Sequence, residues 1–295
     1  MTTAPTARFL MCRPEHFGVS YAINPWMDPN EWARRSGTLA PASRREWTAL
    51  NRALMDQGAA IELAPPVPGL PDLVFTANSA VVLDRKALLA RFRHPERRRE
   101  EPHFAAAFRS LQSRGLIDSV EQLPAGVVLE GAGDCVWDRT RHCFWLGYGP
   151  RSDAAARAVV AAQYGVDTVA LELADPRFYH MDTALCPLAG GELLFVPAAF
   201  TADGLAAIRE RVAPADRIEV PIEDACQLAA NAVSIGDAVV MSHCGASLRR
   251  RLEERGYRVI VTPLQAFLRS GGAAFCLTLR LDNFSAAREP IALAA

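Results

Sequence analysis

The segment Asp153-Ala-Ala-Ala-Arg-Ala-Val-Val-Ala-Ala-Gln-Tyr164-Gly165-Val-Asp-Thr-Val-Ala-Leu171 reads as a helix, a glycine and a short apolar strand. Glycine just past a helix supplies the left-handed residue that caps it, so Gly165 marks the end of the helix at Tyr164. The same order recurs along the chain. Ser43 to Gln57 carries Trp47, Leu50, Leu54 and Met55 at helical spacing, then Gly58 and a strand from Ala60 to Leu63. Phe104 to Arg114 is closed by Gly115, with Leu116 to Val120 beyond it. Leu205 to Val212 passes through Ala213-Pro214 to Ile218-Val220, and Ala246 to Arg255 ends at Gly256 before Tyr257 to Val261. The five units are spaced roughly 45 to 57 residues apart, an internal period that points to a repeat architecture such as a solenoid or a propeller.

Each unit then offers a polar residue in a segment softened by glycine or alanine. These are Asn78 after Phe75-Thr-Ala, Glu130 in Leu129-Glu-Gly-Ala-Gly-Asp134, and His180 with Asp182 in Phe178-Tyr-His-Met-Asp182. Asn231 follows in Ala229-Ala-Asn-Ala-Val233, and Cys276 in Ser270-Gly-Gly-Ala-Ala-Phe-Cys-Leu-Thr-Leu279. The run from Phe275 to Arg280 alternates with the period of a strand, which would place Cys276 at the strand's entry. Taken singly, each residue has a structural reading. Cys276 reads better as a packed thiol, Asn78 as a turn cap, Glu130 as a loop carboxylate and His180 as a structural histidine. Gly131-x-Gly133 is an incomplete dinucleotide fingerprint and does not predict such a site. Units arranged around an axis would bring these positions together, and the repeat turns distant single residues into one constellation.

Composition narrows the class. Half of the 295 residues are hydrophobic and 22% are charged, the balance of a soluble globular protein with a sizeable core. A formal net charge of −1 gives no reason to expect nucleic acid or an anionic membrane as a partner. The basic cluster from Arg91 to Arg99 is interrupted by Glu96 and followed by Glu100 and Glu101. No apolar run approaches the length of a membrane span, and Met1 to Phe9 lacks the layout of a signal peptide. The seven cysteines form no C-x-x-C pair, and the dipeptides His142-Cys143 and His243-Cys244 make poor chelates, so no metal site is expected. Reduced thiols and a cytoplasmic location are the expectation.

The motifs Phe-Thr-Ala-Asn78, Glu130-Gly-x-Gly-Asp134, His180-x-Asp182 and Gly-Gly-x-x-x-Cys276, in that order, resemble the pentein or guanidine-modifying superfamily. The early Val19-Ser-Tyr-Ala-Ile-Asn24-Pro-Trp-Met27 looks like one branch of it, the arginine dihydrolases and their relatives. The resemblance covers nearly the whole chain. It implies a single domain over residues 1–295, a five-bladed α/β propeller with one central active site, and neither a metal nor an organic cofactor. Cys276 would attack the guanidinium carbon as a thiolate, the nucleophilic form, with His180 as general acid and base. Glu130 and Asp182 would grip the guanidinium, whose fork of N–H donors suits carboxylates. Arg97 and Arg151 would hold the α-carboxylate, and Asp72 and Asn24 would line the pocket. Read from the residues alone, both arginines are equally solvated surface groups. Arg97 lies in an exposed-looking basic cluster, and Arg151 precedes Ser152, a candidate helix N-cap.

Two positions choose among the relatives. Dimethylarginine dimethylaminohydrolases generally lack an acid two residues after the histidine, so Asp182 argues against dimethylarginine. Deiminases usually have aspartate where this chain has Asn78. A neutral amide bonds both a guanidinium and the ureido group of citrulline, which favours an arginine dihydrolase releasing ornithine, carbon dioxide and two ammonia. Arginine deiminase or dimethylarginine dimethylaminohydrolase, each with citrulline as product, is the alternative, and an amidinotransferase is further off. The expected partner is arginine or a methylated arginine, with a homo-oligomer left open. The chain ends soon after Cys276, so a fused second activity is not expected.

Overall fold

A computed structural model describes residues 7–286; residues 1–6 and 287–295, and with them the ends of the expected domain and most of Met1 to Phe9, lie outside the description. The unit that contains Gly165 shows the plan. Strand β6 (Cys135–Asp138) pairs antiparallel with β7 (Cys143–Tyr148), with Cys135 opposite Leu146. After β7 the chain crosses through the helix Ala156–Tyr164 into β8 (Asp167–Glu172), which runs parallel to β7. Gly165 has φ 67° and its N–H bonds Ala161 O at 2.9 Å, the left-handed cap expected of it.

The plan repeats in β3 (Ala80–Leu83), β4 (Lys86–Leu89) and β5 (Ser119–Gln122), with the helix Glu101–Ser113 in the crossover. It repeats again in β9 (Leu185–Pro187), β10 (Leu193–Phe195) and β11 (Arg217–Glu219), and in β12 (Val233–Ile235), β13 (Ala238–Met241) and β14 (Arg258–Val261). The remaining sheet joins the two ends of the chain. There β15 (Leu279–Arg280) pairs antiparallel with β1 (Ala7–Cys12), which is parallel to β2 (Ala59–Ala64). The fold of the described residues is therefore a mixed α/β arrangement of five separate three-stranded sheets.

Strands this short carry few ladder bonds, so burial of apolar side chains decides the packing, at roughly 1.5–3 kcal/mol for each fully buried large side chain. Strands β3, β6 and β13 are buried along their whole length, which is why they read as continuous apolar runs rather than alternating ones. The apolar clusters join neighbours in sequence. Leu10 packs with Val82 and Leu89, Val81 with Cys135 and Phe144, Val136 with Leu185 and Val239, and Phe9 with Ile235 and Val240. The fourth sheet of the series thus returns to the one that holds both chain ends. Val81, Val136, Pro187, Ser234 and Leu279, one from the first strand of each unit, line a single cavity of about 80 Å³.

Two expectations are corrected here. The helix expected from Ser43 starts earlier and runs from Pro29 to Asp56, with Asp28 accepting from Glu31 N as its cap. Gly37 and Pro41 weaken the helical pattern upstream of Ser43 without ending the helix. Cys276 is not the opening residue of a strand. Leu277 N bonds Ala273 O and Thr278 N bonds Phe275 O, so the residues from Ala273 to Thr278 form turns, and strand pairing starts at Leu279. The apolar alternation from Phe275 to Leu279 comes from burial on several sides of those turns.

Candidate active site

Every polar position singled out in the repeat lies just ahead of the first strand of a sheet. Asn78 sits in the 3-10 turn Thr76–Ser79 before β3, and Glu130 adjoins the turn Gly131–Gly133 before β6. His180 caps the short helix Met181–Ala184, which contains Asp182, before β9. Asn231 precedes β12 and Cys276 precedes β15. Short turns there leave the side chain free of the strand ladder while the strand behind it fixes the backbone. All six residues are buried.

Two groups form from them. In the first, Cys276 Sγ lies 3.1 Å from Asp182 Oδ2 and receives Asn231 Nδ2–H at 3.1 Å. Asp182 Oδ1 is buried and makes no hydrogen bond in this structure. In the second, His180 Nε2 lies 2.8 Å from Glu130 Oε2, and Arg151 Nη1 donates to the same oxygen at 3.0 Å. Glu130 Oε1 accepts Arg93 N at 3.1 Å. Asn78 Oδ1 accepts Arg97 Nη1 at 2.8 Å, and its Nδ2 donates to Glu130 O at 3.3 Å. Asp72 takes Tyr21 Oη at 2.8 Å and Ser270 Oγ at 3.1 Å, while Asn24 Nδ2 donates to Ser270 O at 3.0 Å.

Asn24, Asp72, Asn78, Arg97, Arg151 and Cys276 line one cavity together with Phe75, Tyr179 and Ser270. Glu130 and His180 stand behind Arg151, and Asp182 reaches the cavity through the thiol. Neither arginine is the surface group it resembled. Arg97 is 3% exposed: its guanidinium is pinned by Glu100 at 2.7 Å and stacks over Phe92 at 4.4 Å. Arg151 is 2% exposed, stacks over Tyr179 at 4.6 Å and donates to Ile23 O at 3.1 Å. Ser152 does not cap a helix. It accepts Glu130 N and donates to Asp134 Oδ2 at 2.6 Å, and Asp134 Oδ1 accepts Met181 N, so this chain of bonds fixes Glu130 against His180.

Protonation follows from the surroundings. Burial alone would raise the Glu130 carboxyl, but Arg151 and His180 outweigh it and hold Glu130 far below the usual carboxylate range. Burial lowers His180 to about 4 despite Glu130, so the imidazole is neutral near pH 7. Its Nε2 then carries the hydrogen donated to Glu130, and Nδ1 keeps its lone pair. Burial raises Asp182 to about 7, and burial followed by the charge of Asp182 pushes the Cys276 thiol well up. The sequence did not reveal the contacts of Asn231, Glu100, Tyr179 and Asp134; their signal, where one existed, was the repeat itself. Among the described residues no cluster of three or more His, Cys, Asp and Glu side chains is placed to hold a metal ion, and no helix is long and apolar enough to cross a membrane.

Comparison with known proteins gives consistent likenesses. Residues 13–282 match the family described as N,N-dimethylarginine dimethylhydrolase, eukaryotic. The chain is 41% identical over 280 residues to the bifunctional arginine dihydrolase/ornithine cyclodeaminase ArgZ of Synechocystis sp., covering 95% of this chain and 38% of ArgZ. The chain therefore spans little more than a third of the length of that relative. It is 34% identical over 281 residues to the dimethylarginine dimethylaminohydrolase of Mycobacterium tuberculosis, covering 95% of this chain and 87% of that protein. The crystal structure of the N-terminal domain of ArgZ, a cysteine-to-serine variant bound to substrate, superposes with a TM-score of 0.89 at 40% identity, covering 95% of this chain and 100% of that domain.

Proposed function

The chain belongs to the dimethylarginine dimethylaminohydrolase family, and from that premise we propose that it hydrolyses the guanidine group of L-arginine through Cys276, as an arginine dihydrolase. The observation that supports this most is that two buried pairs from different units meet at one cavity: Cys276, which lines it, has Sγ 3.1 Å from Asp182, and His180, 2.8 Å from Glu130, stands behind the cavity-lining Arg151 that bonds the same Glu130 oxygen. In this reading the five sheets around the shared cavity are the blades of one five-bladed propeller domain, and the chain works in a cytoplasmic setting. The seven free cysteines agree with a reducing compartment.

The resting cavity is about 10 Å³, room for about one water. Arg151 holds the place on Glu130 that a substrate guanidinium would take, so admission of the substrate moves Arg151 off Glu130. A released Arg151 is then free to meet the α-carboxylate beside Arg97. The incoming cation sits against Asp182 and Glu130 and lowers the cost of ionising the thiol. Sγ bonds to the guanidinium carbon while the thiol proton passes to His180. His180 returns that proton to the departing nitrogen, the C–N bond breaks, and ammonia leaves a thiouronium on Cys276. Water adds with its proton taken by His180, the C–S bond breaks, and citrulline forms. In a second round Sγ attacks the ureido carbon and ammonia leaves. Hydrolysis of the resulting thiocarbamate gives a carbamate that loses carbon dioxide to yield ornithine.

Asn78 favours this over the single-step alternatives, because a neutral amide suits a neutral ureido group. The test is product analysis of purified protein given arginine, citrulline or dimethylarginine. Ornithine with two ammonia per arginine is expected. Citrulline as the sole product would leave a deiminase, and dimethylamine released from dimethylarginine would leave a dimethylaminohydrolase.

A further inference from the structure

We propose that Asn231 is a catalytic residue that stabilises the Cys276 thiolate by donating an amide N–H to Sγ, an inference that rests on Cys276 being the nucleophile. Asn231 is fully buried, and all four of its amide contacts are made. Oδ1 accepts Cys276 N at 3.1 Å and Ala273 N at 3.2 Å. Nδ2 donates to Asp182 O at 3.0 Å and to Cys276 Sγ at 3.1 Å.

This pattern admits a single orientation of the amide. Turned over, the NH₂ would face two backbone N–H groups and the carbonyl would face Asp182 O, so the group facing sulphur is a donor. The other neighbour of sulphur, Asp182 Oδ2, is an acceptor. It suits the resting S–H and opposes the anion. Asn231 does the reverse, and its effect grows as charge develops on sulphur, once as the thiol gives up its proton for attack and again when the C–S bond breaks. A preformed donor at a position of developing charge is the arrangement that lowers a barrier without reorganisation.

The turn that carries Asn231 supports the same view. Leu228 holds φ 53°, a left-handed conformation costly for a branched side chain. Around it, Asn231 N bonds Leu228 O at 3.0 Å and Phe275 N bonds Asn231 O at 3.3 Å. The fourth unit thus bends its backbone to present this amide to the fifth.

The experiment reads the thiol directly. Iodoacetamide modification of Cys276, followed by mass spectrometry of its peptide across pH, gives the thiol's apparent pKa without any substrate. The variants are Asn231→Asp, which keeps Oδ1 but sets an oxygen against Sγ, and Asn231→Ser, smaller and uncharged should the first fail to fold. In whichever variant keeps the parent's circular dichroism, the alkylation midpoint should move up by about one pH unit or more, and kcat should fall on the order of 10²-fold with KM little changed. An unchanged alkylation midpoint, whatever happens to kcat, overturns the proposal and leaves Asn231 a tie between units. If the parent proves inert towards arginine but the midpoint still moves, the thiolate role stands and the proposed function falls.

Discussion

Asp182 Oδ2 and Cys276 Sγ lie 3.1 Å apart in a buried site, so the two groups share hydrogen more readily than charge. Burial favours the protonated form of both; the charge of Asp182 adds to this for the thiol, whereas the hydrogen bond from the thiol works the other way on Asp182 without outweighing burial. Asp182, near 3.8 when unfolded and about 7 when folded, binds its proton more tightly in the native state. Its contribution to stability is therefore complete below about pH 4, is lost as pH rises towards 7, and is absent above that.

Asp182→Asn should remove that dependence while abolishing turnover. The variant should gain on the order of 2–4 kcal/mol over the parent at pH 8, and the gain should shrink towards pH 5. Thermal melts of both proteins at the two pH values check this. A difference that does not vary with pH would show that Asp182 is ionised in the native state throughout.

Gly133 tests how tightly the amide of Asn78 is held. A Cβ at Gly133 would sit 2.0 Å from Asn78 Nδ2 and 3.6 Å from His180 Nδ1. Gly133→Ala must displace Asn78, and kcat/KM for arginine should drop roughly 10²-fold, the scale of a displacement of about 1 Å at a reacting site. Gly37→Ala is the control. That position lies within the helix Pro29–Asp56 with nothing within 4 Å of the added Cβ, and it should gain about 0.5–1 kcal/mol with activity unchanged. Equal activity in the two variants would mean that Asn78 is free to move.

Glu100 supports Arg97 from outside the cavity, at 2.7 Å and fully buried. Glu100→Ala leaves a buried guanidinium short of its main counter-charge, which costs roughly 3–5 kcal/mol. Urea denaturation should show that loss, and KM for arginine should rise. The double variant Arg97→Met/Glu100→Leu should recover most of the stability but none of the binding. If the double variant is as unstable as the single one, the pair acts through packing rather than charge.

The repeat was legible because glycine caps and helical spacing are local signals, and Gly115, Gly165 and Gly256 each fall just past a helix with positive φ. The converging positions were legible for the same reason, since each lies ahead of a first strand. Burial of charge was not. Arg97 stands among Arg93, Arg98 and Arg99, and nothing local reveals that Glu100 and Phe92 enclose it while Arg98 and Arg99 are exposed. Ser152 looked like a cap because a serine before a helical stretch usually is one, yet its hydroxyl is taken by Glu130 N and Asp134, contacts made across the unit. Asn231 carried no motif, and only the packing of the fourth unit on the fifth puts its amide on sulphur.

In the proposed reaction Asn78 decides the product. Its Oδ1 faces Arg97 and its Nδ2 faces Glu130 O at 3.3 Å, so Asn78→Asp has three separable effects. Towards Arg97 the new carboxylate forms a buried ion pair. Towards Glu130 O it sets oxygen against oxygen, a lost donor that costs about 1–3 kcal/mol of stability. Towards substrate, aspartate bonds a guanidinium at least as well as the amide does, but it offers no N–H to the ureido oxygen of citrulline. The variant should therefore still consume arginine, while its product shifts from ornithine to citrulline and added citrulline ceases to be a substrate. Chromatography of the three amino acids over time, for parent and variant at equal folded concentration, measures the ratio. Ornithine in equal proportion from both proteins would clear Asn78 of product control and move the second step to Asp182 or Asp72.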